Sequence, residues 1–286
     1  MQQRRIGDRQ VSAIGLGAMH LSTDNRPDEP AAIRVIHAAL DEGITLIDTA
    51  DAYTPRDHVP GHNEAIVAKA LKAYGGDTDD VVVATKGGHT RDGAEWGLNG
   101  RPEYLRQAAE ASCRRLGVEA IDVYQHHRPD PEVPYEETMR ALRDLIDAGL
   151  VRHAGISNAD ADQIRLAHQV LGDDLVCVQN QFSPVFRSSE PELRLCDELG
   201  IAFLPWAPLG GLRGAKDIGS TTEAFGQVAD KHGVSPQRVC LAWMLAKSPV
   251  VIPIPGASRA TSILDSVAAA SLRLEDEDIA KLDAAA

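Results

Sequence analysis

Eight short runs of apolar and β-branched residues alternate with longer helix-like segments along the chain, and this alternation constrains the fold more than any other feature. The runs are Ala13–Gly17, Thr45–Asp48, Val81–Lys86, Ile121–Gln125, Val151–Ser157, Val176–Gln181, Ile201–Trp206 and Val250–Pro255. Helical patterns fill 30–42, 62–73, 103–116, 135–148, 160–171, 190–199, 235–246 and 260–270. Strands that alternate with helices pair in parallel, because the crossover between parallel strands needs about a dozen residues and a helix supplies them. Eight unbroken units predict a closed (β/α)8 TIM barrel rather than an open sheet. A length of 286 residues suits one such domain spanning 1–286.

Local signals agree with this segmentation. Pro102-Glu103 and Ser235-Pro236 open helices, and Gly43, Gly117, Gly149 and Gly200 stand where helices end. An extra helix is predicted over 220–232 and a short outer one over 276–286. The stretch 87–101 reads as a long irregular loop leaving the third strand. It holds Gly88, Gly93, Gly97 and Gly100 and a single tryptophan, Trp96. A loop of that length is functional or mobile, and Trp96 either walls a substrate pocket or anchors the loop on the rim.

A net charge of −13 argues against non-specific binding to nucleic acid or anionic membranes. No apolar run approaches the ~18 residues that span a bilayer. Met1 to Arg5 are not followed by an apolar segment, so the chain reads as cytoplasmic, as a monomer or small homo-oligomer. Cys113, Cys177, Cys196 and Cys240 are far apart with no metal-ligand spacing and read as reduced thiols, with no metal site expected.

The chemistry is suggested by where polar residues fall. Asp48 ends the second strand, and Tyr53 lies five residues on. Lys86 ends the third, His126 and His127 the fourth, and Ser157 and Asn158 the fifth. Gln179 lies within the sixth strand, and Trp206 ends the seventh. Singly, each has a plain structural role; Ser157-Asn158, for instance, reads as a helix N-cap. Together they converge on one barrel mouth, where such folds carry their active sites. Gly15-Leu16-Gly17 lacks the third glycine of a dinucleotide-binding turn, so a Rossmann-type site is not supported.

Leu46 to Tyr53 (LIDTADAY) resembles the D-T-A-x-x-Y segment of the aldo-keto reductase family. Ala84 to Gly87, Ile121 to Pro129 and Ala154 to Asn158 resemble its next three motifs. Pro205 to Gly211 and Ile252 to Gly256 resemble the last two, so the likeness runs over about 11–270. Trp96 to Gly100 and Phe203 to Trp206 are similar to the bacterial pyridoxal-reductase-like group. The resemblance implies an NADPH-dependent carbonyl reductase with a catalytic tetrad of Asp48, Tyr53, Lys86 and His127. His127 is preferred over His126 because the family histidine lies five residues after the strand aspartate, here Asp122. Alternation along a strand also sends the two histidines to opposite faces.

The resemblance further implies that Tyr53 donates the proton. A neighbouring Lys86 ammonium, held by Asp48, is expected to lower the phenol pKa by roughly 1–3. His127 would orient the carbonyl. Trp206 is expected to stack on the nicotinamide, with Ser157, Asn158 and Gln179 at its carboxamide. Pro208, Leu209 and Gly210 follow in the cofactor motif. The 2′-phosphate is expected at Gly256, Ser258 and Arg259, before a helix N-terminus. Many family members carry lysine where Gly256 stands, which leaves Arg259 as the cation there. Asp265 is either an acceptor for the adenine amino group or a helix-surface carboxylate. His20 and Trp96 are the expected substrate contacts. Two other functions are weighed: a cofactor-binding sensor subunit with little turnover, and a Schiff-base aldolase that uses Lys86.

Overall fold

The computed structural model describes residues 2–56, 58–211, 214, 218–219 and 222–285. A seven-stranded parallel sheet is built from β3 (Leu16–Gly17), β4 (Leu46–Asp48), β5 (Val82–Gly87), β8 (Ile121–His126), β9 (Val151–Ser157), β10 (Leu175–Gln179) and β11 (Ala202–Phe203). These lie in the order β11-β10-β9-β8-β5-β4-β3. The eighth run, Val250 to Pro255, closes the ring. Phe203 N–H donates to Val250 O and Ile252 N–H to Phe203 O on one side. On the other side Gly15 and Gly17 N–H donate to Pro253 O and Pro255 O. The two prolines have no N–H to give, so this segment offers only carbonyls to Gly15 and Gly17 and forms isolated bridges instead of a full ladder. The expected TIM barrel is therefore the observed one.

Residues at alternate positions of each strand face inward. Val82 and Ala84 of β5 and Val123 of β8 fill the barrel with Leu46, Cys177, Ala202, Ile252 and Ile254. The same period carries Lys86 and Gln125 to the upper end of these columns. Outward residues such as Ile156 and Val178 pack under the surrounding helices, among them α3 (Pro102–Leu116), α4 (Tyr135–Asp147) and α5 (Ala161–Leu171). The caps are largely as read: Ser235 accepts from Arg238 N–H at 3.0 Å before Pro236, and Gly117 ends α3 at φ 73°. The cap of α5 is not Ser157 or Asn158 but Asp160, in a box with Gln163. The extra helix is observed over Glu223–His232, while 220 and 221 lie outside the described residues.

Two elements were not legible in the sequence. Strands β1 (Gln3–Ile6) and β2 (Arg9–Ser12) form an antiparallel hairpin whose buried Ile6 and Val11 join the interior cluster. Residues 87–101 are not irregular: β6 (His89–Asp92) pairs with β7 (Glu95–Leu98) through the turn Gly93-Ala94. Gly93 adopts φ 56°, which a two-residue hairpin turn requires and which the Asp92-Gly93 step provides. Among the described residues no helix is long and apolar enough to cross a membrane. All four cysteines are free and buried.

Candidate active site

Strand ends bring Asp48, Lys86 and His127 together, and the loop after β4 folds Tyr53 back onto them. Lys86 is fully buried and divides its three N–H donors among Asp48 Oδ2 (2.7 Å), Thr49 O (2.8 Å) and Tyr53 Oη (3.4 Å). Its ammonium thus has no donor left over. The Tyr53 and His127 rings meet edge to face at 5.5 Å. Because the phenol oxygen accepts from Lys86, its own proton remains free to be given elsewhere.

Sequence reasoning missed Gln125. It lies two residues before His127 on the same inward face, and its Nε2 donates to Asp48 Oδ1 at 3.1 Å. Gln179 Nε2 donates to the same oxygen at 2.8 Å and to Gln125 Oε1 at 3.1 Å. Asp48 is therefore held by an ammonium on one oxygen and two amides on the other. The period-2 rule carried the signal, since any residue two before a site residue on a strand points the same way.

Burial sets the charge states. It pulls the Lys86 ammonium down, but the Asp48 charge and the Tyr53 hydrogen bond outweigh it and hold lysine above its ordinary range. Burial raises the Tyr53 phenol, and the opposing pull of Lys86 does not cancel it. The expected lowering of this pKa is thus reversed: desolvation of a phenolate at a dry strand end exceeds the attraction of one ammonium that is already paired. Tyr53 stays protonated at neutral pH. Burial, followed by Lys86, His89 and Arg128, pushes His127 well below the ordinary histidine value, so its imidazole is neutral. His126 points to the opposite face, fully buried against Tyr135, with neither ring nitrogen partnered.

Above these groups lies a cavity of about 340 Å³, lined by Tyr53, His127, His89, Trp96, Trp206 and Arg128 among others. The β6–β7 hairpin forms one wall. His89, also missed from sequence, lies 4.9 Å from the His127 ring and 4.5 Å from Trp96. Trp96 is 43% exposed and carries the Arg91 guanidinium 4.3 Å from its ring. It lines the pocket, and its ring contacts, Arg91 and His89, lie within the hairpin itself. His20 lines this cavity.

Ser157 Oγ donates to Gln179 O and accepts from Asn158 Nδ2, which also donates to His127 O at 3.1 Å. The amide nitrogens of Asn158 and Gln179 are thus committed, leaving their carbonyl oxygens as the available acceptors. A second cavity of about 470 Å³, lined by Pro208, Leu209, Gly256, Ser258, Arg259 and Asp265 among others, shares His20, Ala207, Gly211 and Gly256 with the first. The two form one cleft. Gly210 does not line it; Gly211 does. A Cβ at Gly256 would stand 2.5 Å from His20 Nδ1, so a lysine there would displace this ring. Arg259 precedes the helix Ala260–Ala268, whose first turn has no side-chain cap. Asp265 lines the same cleft with its carboxylate already accepting from Arg238 Nη2 at 2.7 Å and from Ser235 Oγ.

The family model for the Aldo/keto reductase family matches residues 13–286. The chain is 38% identical over 284 residues to the uncharacterized oxidoreductase C215.11c of Schizosaccharomyces pombe, covering 98% of this chain and 88% of that protein. Its fold is similar to that of the thermostable aldo-keto reductase Tm1743, solved with the inhibitor epalrestat, at TM-score 0.85 and 26% identity over the whole of both chains. An aldo/keto reductase from Klebsiella pneumoniae, solved with NADP and acetate, aligns at TM-score 0.81 and 25% identity, covering 99% of this chain and 94% of that one.

Proposed function

Because the chain belongs to the aldo/keto reductase family, we propose that residues 1–286 form one NADPH-dependent reductase domain that converts aldehydes or ketones to alcohols, with Tyr53 as proton donor. The observation that carries this reading is the buried Lys86 ammonium, shared among Asp48, Thr49 and Tyr53 at the foot of a cavity. NADPH, when bound, supplies the hydride. The continuous cleft suits such a ligand: an indole at one end, and at the other an uncapped helix N-terminus with Arg259, unpaired among the described residues. Trp206 would face the nicotinamide, whose carboxamide N–H groups meet the free oxygens of Asn158 and Gln179, beside Ser157. Pro208 and Leu209 would flank the middle, and Gly256, Ser258 and Arg259 the 2′-phosphate.

A carbonyl that accepts hydride gathers negative charge on oxygen. Tyr53 delivers its proton there, and Lys86 stabilises the phenolate left behind. Asp48, fixed by Gln125 and Gln179, keeps Lys86 charged and in place. The neutral His127 keeps one N–H to orient the same carbonyl oxygen. Acid assistance of this kind contributes ~10²–10⁴ in rate. The aldolase reading finds no support in this geometry, because a Schiff-base lysine must be an unprotonated amine and Lys86 is held as an ammonium.

The experiment is NADPH consumption over a panel of aldehydes and ketones, repeated with Tyr53→Phe. The variant is expected to bind NADPH and to lose turnover. Retention of more than about a tenth of wild-type rate would overturn the role of Tyr53. Tight NADPH binding without turnover on any carbonyl would favour a sensor subunit instead.

A further inference from the structure

Arg128 follows His127 at the end of β8 and lines the cavity over Tyr53. It is the one lysine or arginine among the described residues lining that cavity. No described side chain forms an ion pair or hydrogen bond with its guanidinium. The carboxylate in the lining, Asp48, is fully engaged by Lys86, Gln125 and Gln179. The histidines of the lining are held neutral. Burial lowers His20, pushes His89 down to about 4 and holds His127 well below the ordinary histidine value. Asp48 and Lys86 cancel, so Arg128 leaves the pocket with one net positive charge, in a chain whose net charge is −13. Its field reaches the reacting groups, favouring the deprotonated forms of Tyr53, His89 and His127. A half-buried guanidinium has lost part of its hydration and presents an unused fork of N–H donors, whose geometry matches a carboxylate or phosphate.

We propose that Arg128 makes this site selective for carbonyl substrates that carry an anionic oxygen group, a carboxylate or a phosphate, held at Arg128 while the carbonyl lies at Tyr53. This rests on the reductase reading above. The cavity of about 340 Å³ also receives the nicotinamide, so the substrate is a short one. His89 and Trp96 then bound its apolar body between the two ends.

The test compares kcat/KM for 4-carboxybenzaldehyde against 4-methylbenzaldehyde, and for glyceraldehyde 3-phosphate against glyceraldehyde. Wild type, Arg128→Met and Arg128→Lys are assayed at one pH and ionic strength. Wild type is expected to favour the charged member of one pair by about tenfold or more, and the responding pair identifies the anion. Arg128→Met removes that preference through KM, and Arg128→Lys, charged but without the fork, falls between. A wild-type ratio near one overturns the proposal. So does an equal loss for both members of a pair, which would assign Arg128 to keeping His127 neutral. Absence of turnover with every aldehyde overturns the reductase reading instead. Arg128 is then decided by titrating terephthalate against tryptophan fluorescence in the NADPH-loaded protein: weaker binding by Arg128→Met supports the proposal, and equal binding overturns it.

Discussion

Asp48→Asn tests whether the buried charge on Lys86 depends on a single carboxylate. In the wild type the ammonium is fully buried and 2.7 Å from Asp48 Oδ2. Breaking a buried pair by removing one partner costs about 3–5 kcal/mol. Releasing the lysine proton sets a ceiling on that cost, and the ceiling falls as pH rises. Giving up a proton at pH 7 from a group whose ordinary pKa is 10.5 costs about 4.8 kcal/mol, and at pH 9 about 2 kcal/mol. The unfolded variant then binds one more proton than the folded one, so its stability rises with pH up to the unfolded lysine pKa. In the wild type Lys86 stays charged in both states across this range and adds no such slope. Urea unfolding at pH 7 and pH 9 is therefore expected to show a gap between wild type and variant that narrows by ~1–3 kcal/mol. Turnover falls at both pH values, because a neutral lysine does not stabilise the Tyr53 phenolate. A gap of the same size at pH 7 and pH 9, or one below about 1 kcal/mol at pH 7, would refute the argument.

Arg259→Ala is expected to weaken NADPH binding by roughly 1.5–3 kcal/mol and leave NADH almost unchanged, measured by fluorescence titration of both; equal losses would place Arg259 away from the 2′-phosphate. Asp51 is a buried carboxyl with an unpartnered Oδ1, and burial and then Glu64 push its pKa up to about 8. The folded state holds a proton there that the unfolded state has lost. This costs stability progressively from about pH 4 to pH 8, with no further loss above the folded pKa. Asp51→Asn mimics the neutral acid and is expected to stabilise the protein by at least ~2 kcal/mol more at pH 8 than at pH 5 in urea melts; a gain independent of pH would contradict the assignment.

Much of the site was legible because it depends on short periods. Inward residues recur every second position, and polar residues at successive strand ends must meet once the strands lie parallel. That argument separated His127 from His126 and brought Asp48, Lys86 and Tyr53 together. The same period, applied two residues further back, reaches Gln125, which carries no sign of its own in the sequence. The hairpin over 89–98 turns on Gly93-Ala94, but the many glycines of this stretch read as irregularity, and with it went His89.

By itself, then, the chain determined the order of the barrel's strands and helices, most of their caps, and which residues stand at the barrel mouth. These follow from contacts between residues a few positions apart. Tertiary structure alone decided whatever depends on distant partners or on the loss of water. Closure of the ring by Val250 to Pro255 depends on carbonyls reaching Gly15 and Gly17, more than two hundred residues away. Asp265 lines the cofactor cleft already bonded to Arg238, 27 residues earlier, and to Ser235. Tyr53 is raised, not lowered, because its burial outweighs one paired ammonium. Arg128 keeps an open fork because no carboxylate among the described residues comes within ion-pair distance of it, and a free donor is visible only when the neighbours have been placed.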